Sequence, residues 1–213
     1  MKTIKLLTLL ILLSLKGFTQ TSDKLTAALQ KGLVMIDSAK GDQDYGNAAN
    51  YFERIATAEQ NQWLPQYYTA FCQLHTAMIG KQTTEIKDAL YDKALVFVAK
   101  ADELSPNNSE VYALKGYIIF MKMSLSPQAR AMTMIPQAGS LIGKAIALNP
   151  ENPRAYLLMG QNTFYTPEAF GGGKLKAKPT LETAKAKFDA EKATGLNPSW
   201  GKSRCAALLQ QSI

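Results

Sequence analysis

The sequence predicts an all-α protein built from stacked helix pairs, and three observations support this. Helix-forming residues dominate the 213 residues, and no long stretch alternates apolar and polar residues as a half-buried strand would. A set of small, apolar and proline positions recurs along the chain. Asn-Pro or Ser-Pro pairs occur where helices should end, because the residue before a proline is forced out of helical dihedral angles. Self-similarity at a regular interval is typical of repeat architectures.

The recurring set covers the second helix of one pair and the first helix of the next. Its first copy is Ala94, Val98, Ala101, Pro106, Tyr112 and Gly116, and the second, 44 residues later, is Ala138, Ile142, Ala145, Pro150, Tyr156 and Gly160. A partial third copy is predicted 48 residues further on, at Ala186, Ala190, Ala193 and Pro198. Residues at i, i+4 and i+7 share one helical face, so the alanines allow a neighbouring helix to approach closely.

These helix-ending signals and the periodic positions between them predict nine helices. They cover 22–39, 44–60, 63–79, 84–104, 109–124, 130–148, 152–166, 178–195 and 199–211. Glycines at Gly41, Gly80 and Gly171–Gly173 mark breaks between them. The repeat interval is longer than usual for a helix pair, and we expect the excess to form loops over 123–129 and 166–179.

These positions resemble the tetratricopeptide repeat. That family has an aromatic residue and, four positions later, a small residue on its first helix, as at Tyr112 and Gly116. Its second helix has alanine, a large apolar residue, alanine and then proline, as from Ala94 to Pro106. The resemblance covers about 22–211 and implies a right-handed α-solenoid of about four helix pairs plus a C-terminal capping helix. It also implies a concave groove, lined by the first helices, that binds a partner.

The N-terminal segment predicts a secretory signal peptide. Two lysines precede the apolar run Leu6–Leu15, and small residues follow it. A membrane anchor is the weaker alternative, because a spanning helix needs about 20 apolar residues. Cleavage is predicted between Thr19 and Gln20, giving a signal peptide over 1–19 and one repeat domain over 20–213. We therefore expect an exported bacterial protein, periplasmic or secreted, with no integral membrane segment after cleavage.

Charge and composition argue against several other classes. The net charge of +7 includes no dense cluster of Lys or Arg, so no nucleic-acid partner is expected. Cys72 and Cys205 are predicted to lie on distant helices, too far apart for a disulfide, and to be buried free thiols. The glycine run before Lys174 lacks the spacing of a phosphate-binding loop.

The chain has a single histidine, His75, which limits its possible chemistry. A nucleophile–histidine arrangement would have to use this residue, and together with Cys72 it would supply only two metal ligands. A partly buried histidine on a helix face is the favoured interpretation. We expect no enzyme activity, no cofactor and no metal site.

The resemblance selects a set of groove residues on the first helices. They are Phe71, Leu74, Tyr117, Phe120, Gln161 and Phe164, and Arg154 is added to this set for its charge. Arg154 is predicted to clamp a carboxylate of the partner. The partner would be another protein or a peptide segment, and the main alternative for these residues is plain core. The alternative function is a periplasmic small-solute-binding accessory protein of a transport system.

Overall fold

The computed structural model describes residues 23–192 and 195–212, and the predicted signal peptide lies outside these ranges. All regular elements in these ranges are helices. They are α1 over 23–38, α2 Asp42–Ala58, α3 Trp63–Ile79, α4 Thr84–Leu104, α5 Ser109–Ser124, α6 Pro127–Leu148, α7 Pro153–Tyr165, the 3₁₀ turn Glu168–Phe170, α8 Lys174–Ala190 and α9 Lys202–Gln210. None of the described helices is both long and apolar enough to span a bilayer.

The helices stack in chain order. From α2 onward each helix packs on the next, and α3, α5 and α7 also pack side by side. Helices α3, α5 and α7 therefore form an inner layer, and α4, α6 and α8 form an outer layer. The predicted all-α solenoid of four helix pairs with a terminal helix is confirmed.

Glycines on the first helices allow each pair to close. A Cβ atom at Gly116 would lie 2.7 Å from Cγ1 of Ile142, and one at Gly160 would lie 2.7 Å from Cδ2 of Leu181. A Cβ atom at Gly32 would likewise lie too close to the Phe52 ring on the second helix of its own pair. Real Cβ atoms essentially never show such distances, so a larger residue at these positions would force the facing side chain of the partner helix to shift.

The predicted register of the last pair was wrong. Helix α8 ends at Ala190, so it does not extend to 195, and both Ala186 and Ala190 are exposed, while Ala193 lies outside the described residues. The buried stripe consists of Ala177, Leu181, Ala184 and Phe188. The first three positions repeat the alanine, large apolar, alanine pattern of α4 and α6. The extra residues of this repeat consequently lie after α8. The predicted loop over 166–179 is shortened to 166–173, because α8 begins at Lys174.

Asparagine caps fix the start of the inner helices. The side chains of Asn108 and Asn152 each accept a hydrogen bond of 2.9 Å from the backbone N–H two residues on. Asn152 Nδ2 also donates to Ser109 Oγ at 2.8 Å, and that hydroxyl donates to the Ala145 carbonyl at 2.8 Å. These buried bonds tie α5, α6 and α7 together at one end of the stack.

The two cysteines agree with expectation. Cys72 and Cys205 are both buried and free. Burial raises the pKa of each thiol, so both stay protonated and unreactive near neutral pH.

Candidate functional site

The segment between α8 and α9 covers the surface where a groove was predicted. We call residues 195–201 the strap. The Tyr68 hydroxyl donates to the Leu196 carbonyl at 2.7 Å, and Trp200 Nε1 donates to the Tyr67 hydroxyl at 2.9 Å. Both tyrosines are buried, so the strap satisfies hydroxyl groups that would otherwise lack a partner there.

Five rings form a continuous aromatic surface beside the strap. This aromatic wall consists of Tyr45, Phe71, His75, Tyr117 and Trp200. The ring centroid of Trp200 lies 5.4 Å from that of Phe71 and 6.1 Å from that of Tyr117, and the His75 ring lies 4.1 Å from Phe71 and 4.9 Å from Tyr45. Phe71 and Tyr117 are buried, whereas the other three rings are partly exposed. The wall therefore has a buried base and an open aromatic edge.

His75 is held in one orientation within the wall. Its Nδ1 lies 2.9 Å from the Phe71 carbonyl oxygen. Burial lowers the pKa of His75 to about 4, although this backbone hydrogen bond acts in the opposite direction. The imidazole is therefore neutral near pH 7, and its ring is fixed by one hydrogen bond and by stacking.

An arginine from α9 adds positive charge next to the wall. Arg204 Nε donates to Gln161 Oε1 at 3.0 Å, and Nη2 donates to the Tyr165 hydroxyl at 2.7 Å. Burial raises the pKa of Tyr117, and the nearby Arg204 charge partly opposes that shift. Arg204 is itself exposed, so the guanidinium can bind an anion from solvent.

Arg154 has a different role from the one predicted. Its Nε lies 2.7 Å from Glu110, and its other nitrogens bind Glu191, the residue that follows α8. Burial raises the pKa of Glu110, and the hydrogen bond from Arg154 opposes that shift. The predicted carboxylate clamp is thus already occupied by two carboxylates of this chain.

A polar cleft of about 430 Å³ opens beside Arg154. Its charged side chains are Glu110, Glu151, Glu191, Arg154, Lys187 and Lys192. Because acids and bases are balanced, the cleft presents no net charge that would select an ion.

None of the predicted groove residues is exposed. Phe71, Leu74, Tyr117, Phe120, Arg154, Gln161 and Phe164 are all buried. Phe120 belongs to the α5–α6 core with Ala138, and Phe164 belongs to the α7–α8 core with Leu181. Phe71 and Tyr117 contact Trp200 of the strap, and Gln161 binds Arg204 of α9. Leu74 lies in the main core, and Arg154 is held by the two glutamates. Their part in binding a partner stays a prediction.

Sequence patterns alone missed the residues at the open edge. Trp200 was placed in a helix over 199–211, but α9 begins at Lys202. The turn is made by Gly201, whose φ of +109° favours glycine and whose Cβ would lie 2.8 Å from Leu157. The sequence does contain one signal of an anchored loop. It is a tryptophan that lies between Asn-Pro and Gly and outside any apolar periodicity.

Metal-ligating side chains do not cluster. No three His, Cys, Asp or Glu residues converge anywhere in 23–192 or 195–212.

The fold and the wall define a helical-repeat binding scaffold. No family model and no curated protein matches this chain. Among solved structures, the HusA haemophore from Porphyromonas gingivalis matches with a TM-score of 0.76 and 30% identity, over 90% of this chain and 92% of that chain. This chain therefore belongs to the same family as HusA.

A second solved structure shows a lower likeness. MamA matches with a TM-score of 0.42 and 18% identity, over 80% of this chain and 87% of that chain. This likeness is too low to bear on the fold or the function of the present protein.

Proposed function

We propose that this protein binds haem at the open edge of the aromatic wall. The observation that carries the proposal is the match, over nearly the full length of both chains, to a structure described as a haemophore. The comparisons do not favour an accessory subunit of a transport system. Export to the periplasm or the medium, and membership of the tetratricopeptide repeat family, are parts of the proposal that rest on sequence patterns.

The chemistry of the wall fits a planar, amphipathic ligand. Haem offers a flat apolar macrocycle with two carboxylates. The partly exposed rings of Tyr45 and Trp200 provide aromatic surface on which a flat ring can pack. Arg204, beside the wall, is an exposed cation that can pair with a carboxylate.

Titration with haem tests this proposal. We expect a saturable change in the Soret absorbance with one-site stoichiometry. The variant Arg204→Gln should bind haem several-fold more weakly, because a charge-assisted bond to a carboxylate is lost. Haem dimethyl ester, in which both carboxylates are masked, should bind the variant and the native protein equally.

A matched control separates this effect from a general change in surface charge. Lys100→Gln removes a cation on outer helix α4, where Lys100 pairs with Glu103 three positions later on the same helix. That variant should bind haem as the native protein does. Linear, non-saturating absorbance changes in the native protein would contradict the proposal.

A second candidate, peptide binding, is favoured by the strap itself. The inner layer already holds the strap through a backbone carbonyl, that of Leu196, and through a tryptophan side chain, that of Trp200. A peptide added as a separate molecule could bind at the same position on the inner layer. A labelled peptide with the sequence of 195–201 should then bind the variant Trp200→Ala more tightly than the native protein, and equal or absent binding would count against it.

A further inference from the structure

Large apolar side chains are exposed where α7 turns into α8. We call residues 165–178 the tip. Phe170 is 79% exposed and Leu175 is 74% exposed, and Tyr165 at the start of the tip is 51% exposed. Single apolar residues on a protein surface are ordinary, but several on one short turn indicate a surface that contacts something other than water.

The backbone holds the tip in a defined shape. The three N–H groups of Gly171–Gly173 donate in turn to the carbonyls of Glu168, Pro167 and Thr163, at 2.9, 3.1 and 2.9 Å. The first and third of these glycines have φ values of +81° and +112°, which favour glycine. Phe170 is therefore displayed by a hydrogen-bonded turn, and its exposure is a built feature of the fold.

Three lysines accompany these apolar side chains. Lys174 and Lys176 are exposed, and Lys178 is half-buried. In the part of the chain that the structure describes, none of the three pairs with a carboxylate, whereas Lys185 further along α8 pairs with Asp189. The first turn of α8 has no acidic residue, and positive charge at this end of a helix opposes the helix dipole. The lysines therefore do not stabilise α8, and their charge is available to a partner.

Charge and apolar surface meet within the tip. The Nζ atom of Lys176 lies 3.4 Å from the position that a Cβ atom at Gly171 would take, and Gly171 directly follows Phe170. Leu175 lies between two of the lysines in the sequence. The tip has three cations and one acid, Glu168, so it is complementary to a negatively charged surface that also accepts apolar side chains.

A lipid bilayer fits these features better than a second protein does. A stable protein interface buries about 800 Å² on each partner, and one short turn offers much less. A contact at the bilayer surface needs only a few apolar side chains that insert between the lipids and cations that approach the headgroups. Each lysine near an anionic bilayer strengthens binding by roughly fivefold.

We propose that the tip docks this protein on the surface of an anionic lipid bilayer. Phe170 and Leu175 insert at the level of the headgroups, and the three lysines contact the lipid phosphates. The proposal goes beyond haem binding and does not depend on it, because these five residues lie outside the aromatic wall.

Co-sedimentation with lipid vesicles tests the proposal. The native full chain should bind vesicles of phosphatidylcholine mixed with phosphatidylglycerol more tightly than vesicles of phosphatidylcholine alone. The triple variant Lys174→Gln, Lys176→Gln and Lys178→Gln should bind the anionic vesicles more weakly, on the order of a hundredfold. The double variant Phe170→Ser and Leu175→Ser should bind them about tenfold more weakly, because the inserted apolar surface is lost.

Matched variants on the outer layer serve as controls. Lys81→Gln, Lys87→Gln and Lys100→Gln together remove the same charge, and two of these lysines are exposed and one is half-buried, as in the tip. Val96→Ser and Met132→Ser together remove apolar side chains that are 68% and 88% exposed. Both sets should bind anionic vesicles as the native protein does, and circular dichroism should show native helix content in every variant.

Hydrogen–deuterium exchange in the native protein gives a readout that needs no variant. Exchange over 166–178 should slow on anionic vesicles and stay unchanged with soluble glycerol phosphate, which has the headgroup charge without the bilayer. Every protein compared carries the same N-terminus, so any lipid binding by the apolar run Leu6–Leu15 is common to all of them.

Four outcomes would overturn the proposal. Tip variants that bind as their controls do would show that the tip makes no contact with lipid, as would unchanged exchange over 166–178 in vesicle-bound protein. Equal slowing by soluble glycerol phosphate would indicate a site for a small anion. Absence of binding to either kind of vesicle would leave a protein partner as the occupant of the tip.

Discussion

The inner and outer helices of this solenoid are buried in very different ways. Inner helix α3 has 12 buried residues of 17, whereas outer helix α4 has four of 21. The same contrast separates α5, with 10 of 16, from α6, with three of 22. An outer helix buries only the stripe that faces its partner. An inner helix is covered on a further side as well, by the strap and α9.

The contrast extends to polar residues. Buried polar side chains concentrate on the inner helices, and include Gln66, Thr69, Gln73 and Thr76 on α3 and Arg154, Gln161 and Asn162 on α7. Burying such groups is costly unless they are paired. The inner layer is therefore where the stability of the protein is most sensitive to the loss of a polar partner.

The largest expected effect comes from breaking the buried ion pair on the inner layer. Arg154→Met should lower the free energy of unfolding by about 3–5 kcal/mol, because it leaves Glu110 buried without its partner. Chemical denaturation at pH 7 measures this. A double variant that also replaces Glu110 by Met should recover most of the loss.

The loss of stability caused by Arg154→Met should depend on pH. Burial raises the pKa of Glu110, and without Arg154 nothing opposes that shift. A carboxyl group whose folded pKa is raised loses stability as the pH rises through that pKa, so the penalty is full at pH 7 and shrinks in acid. A penalty that is independent of pH would contradict the role given to Glu110.

His75 should produce a stability change of up to about 3 kcal/mol across the acid range. Burial lowers the pKa of His75 to about 4, below the 6.5 of a free imidazole. Between those values the unfolded chain binds the proton first, so stability falls as the pH falls from 6.5 to 4. The difference between native protein and His75→Gln isolates this contribution, and no difference in slope would show that the ring is freely solvated.

Contact between the two layers is tested at Gly116. Gly116→Leu should destabilise the protein by about 1–3 kcal/mol through overpacking against Ile142. Gly143, on outer helix α6, has open space around its would-be Cβ. Gly143→Ala should therefore raise stability by roughly 0.5–1 kcal/mol, and equal effects at the two glycines would show that the register of the pair is wrong.

The smallest expected loss of stability concerns the strap. Trp200→Phe keeps a ring on the wall but removes the donor to the buried Tyr67 hydroxyl, which should cost about 0.5–1.5 kcal/mol. Trp63→Phe is the control, because Trp63 packs edge-on against the same tyrosine. An unchanged melting temperature for Trp200→Phe would mean that the strap does not pack on the inner helices in solution.

Local periodicity was enough to predict the pairing of helices but not what covers them. The alanines at 94 and 138 fix one face of α4 and α6, and the structure buries both. Helix α8 misled the prediction because its sequence is rich in alanine, and Asn197-Pro198 resembles the stop that ends α6. Leu181, the large residue between Ala177 and Ala184, is the signal that identifies the correct face.

The site depends on contacts that no sequence interval reveals. Tyr68 meets Leu196 across 128 positions, and Tyr67 meets Trp200 across 133. Because of these contacts, predicted groove residues such as Phe71 and Tyr117 are buried at the base of the aromatic wall. Only the folded chain shows that the partly exposed edge of the wall consists of Tyr45, His75 and Trp200.

Hydrogen–deuterium exchange with and without haem locates the ligand most directly. We predict slower exchange in the second half of α3, in α5 and in the strap, with outer helices α4 and α6 unchanged. Protection confined to the outer helices, or none at a haem concentration that saturates the Soret change, would contradict a site on the aromatic wall.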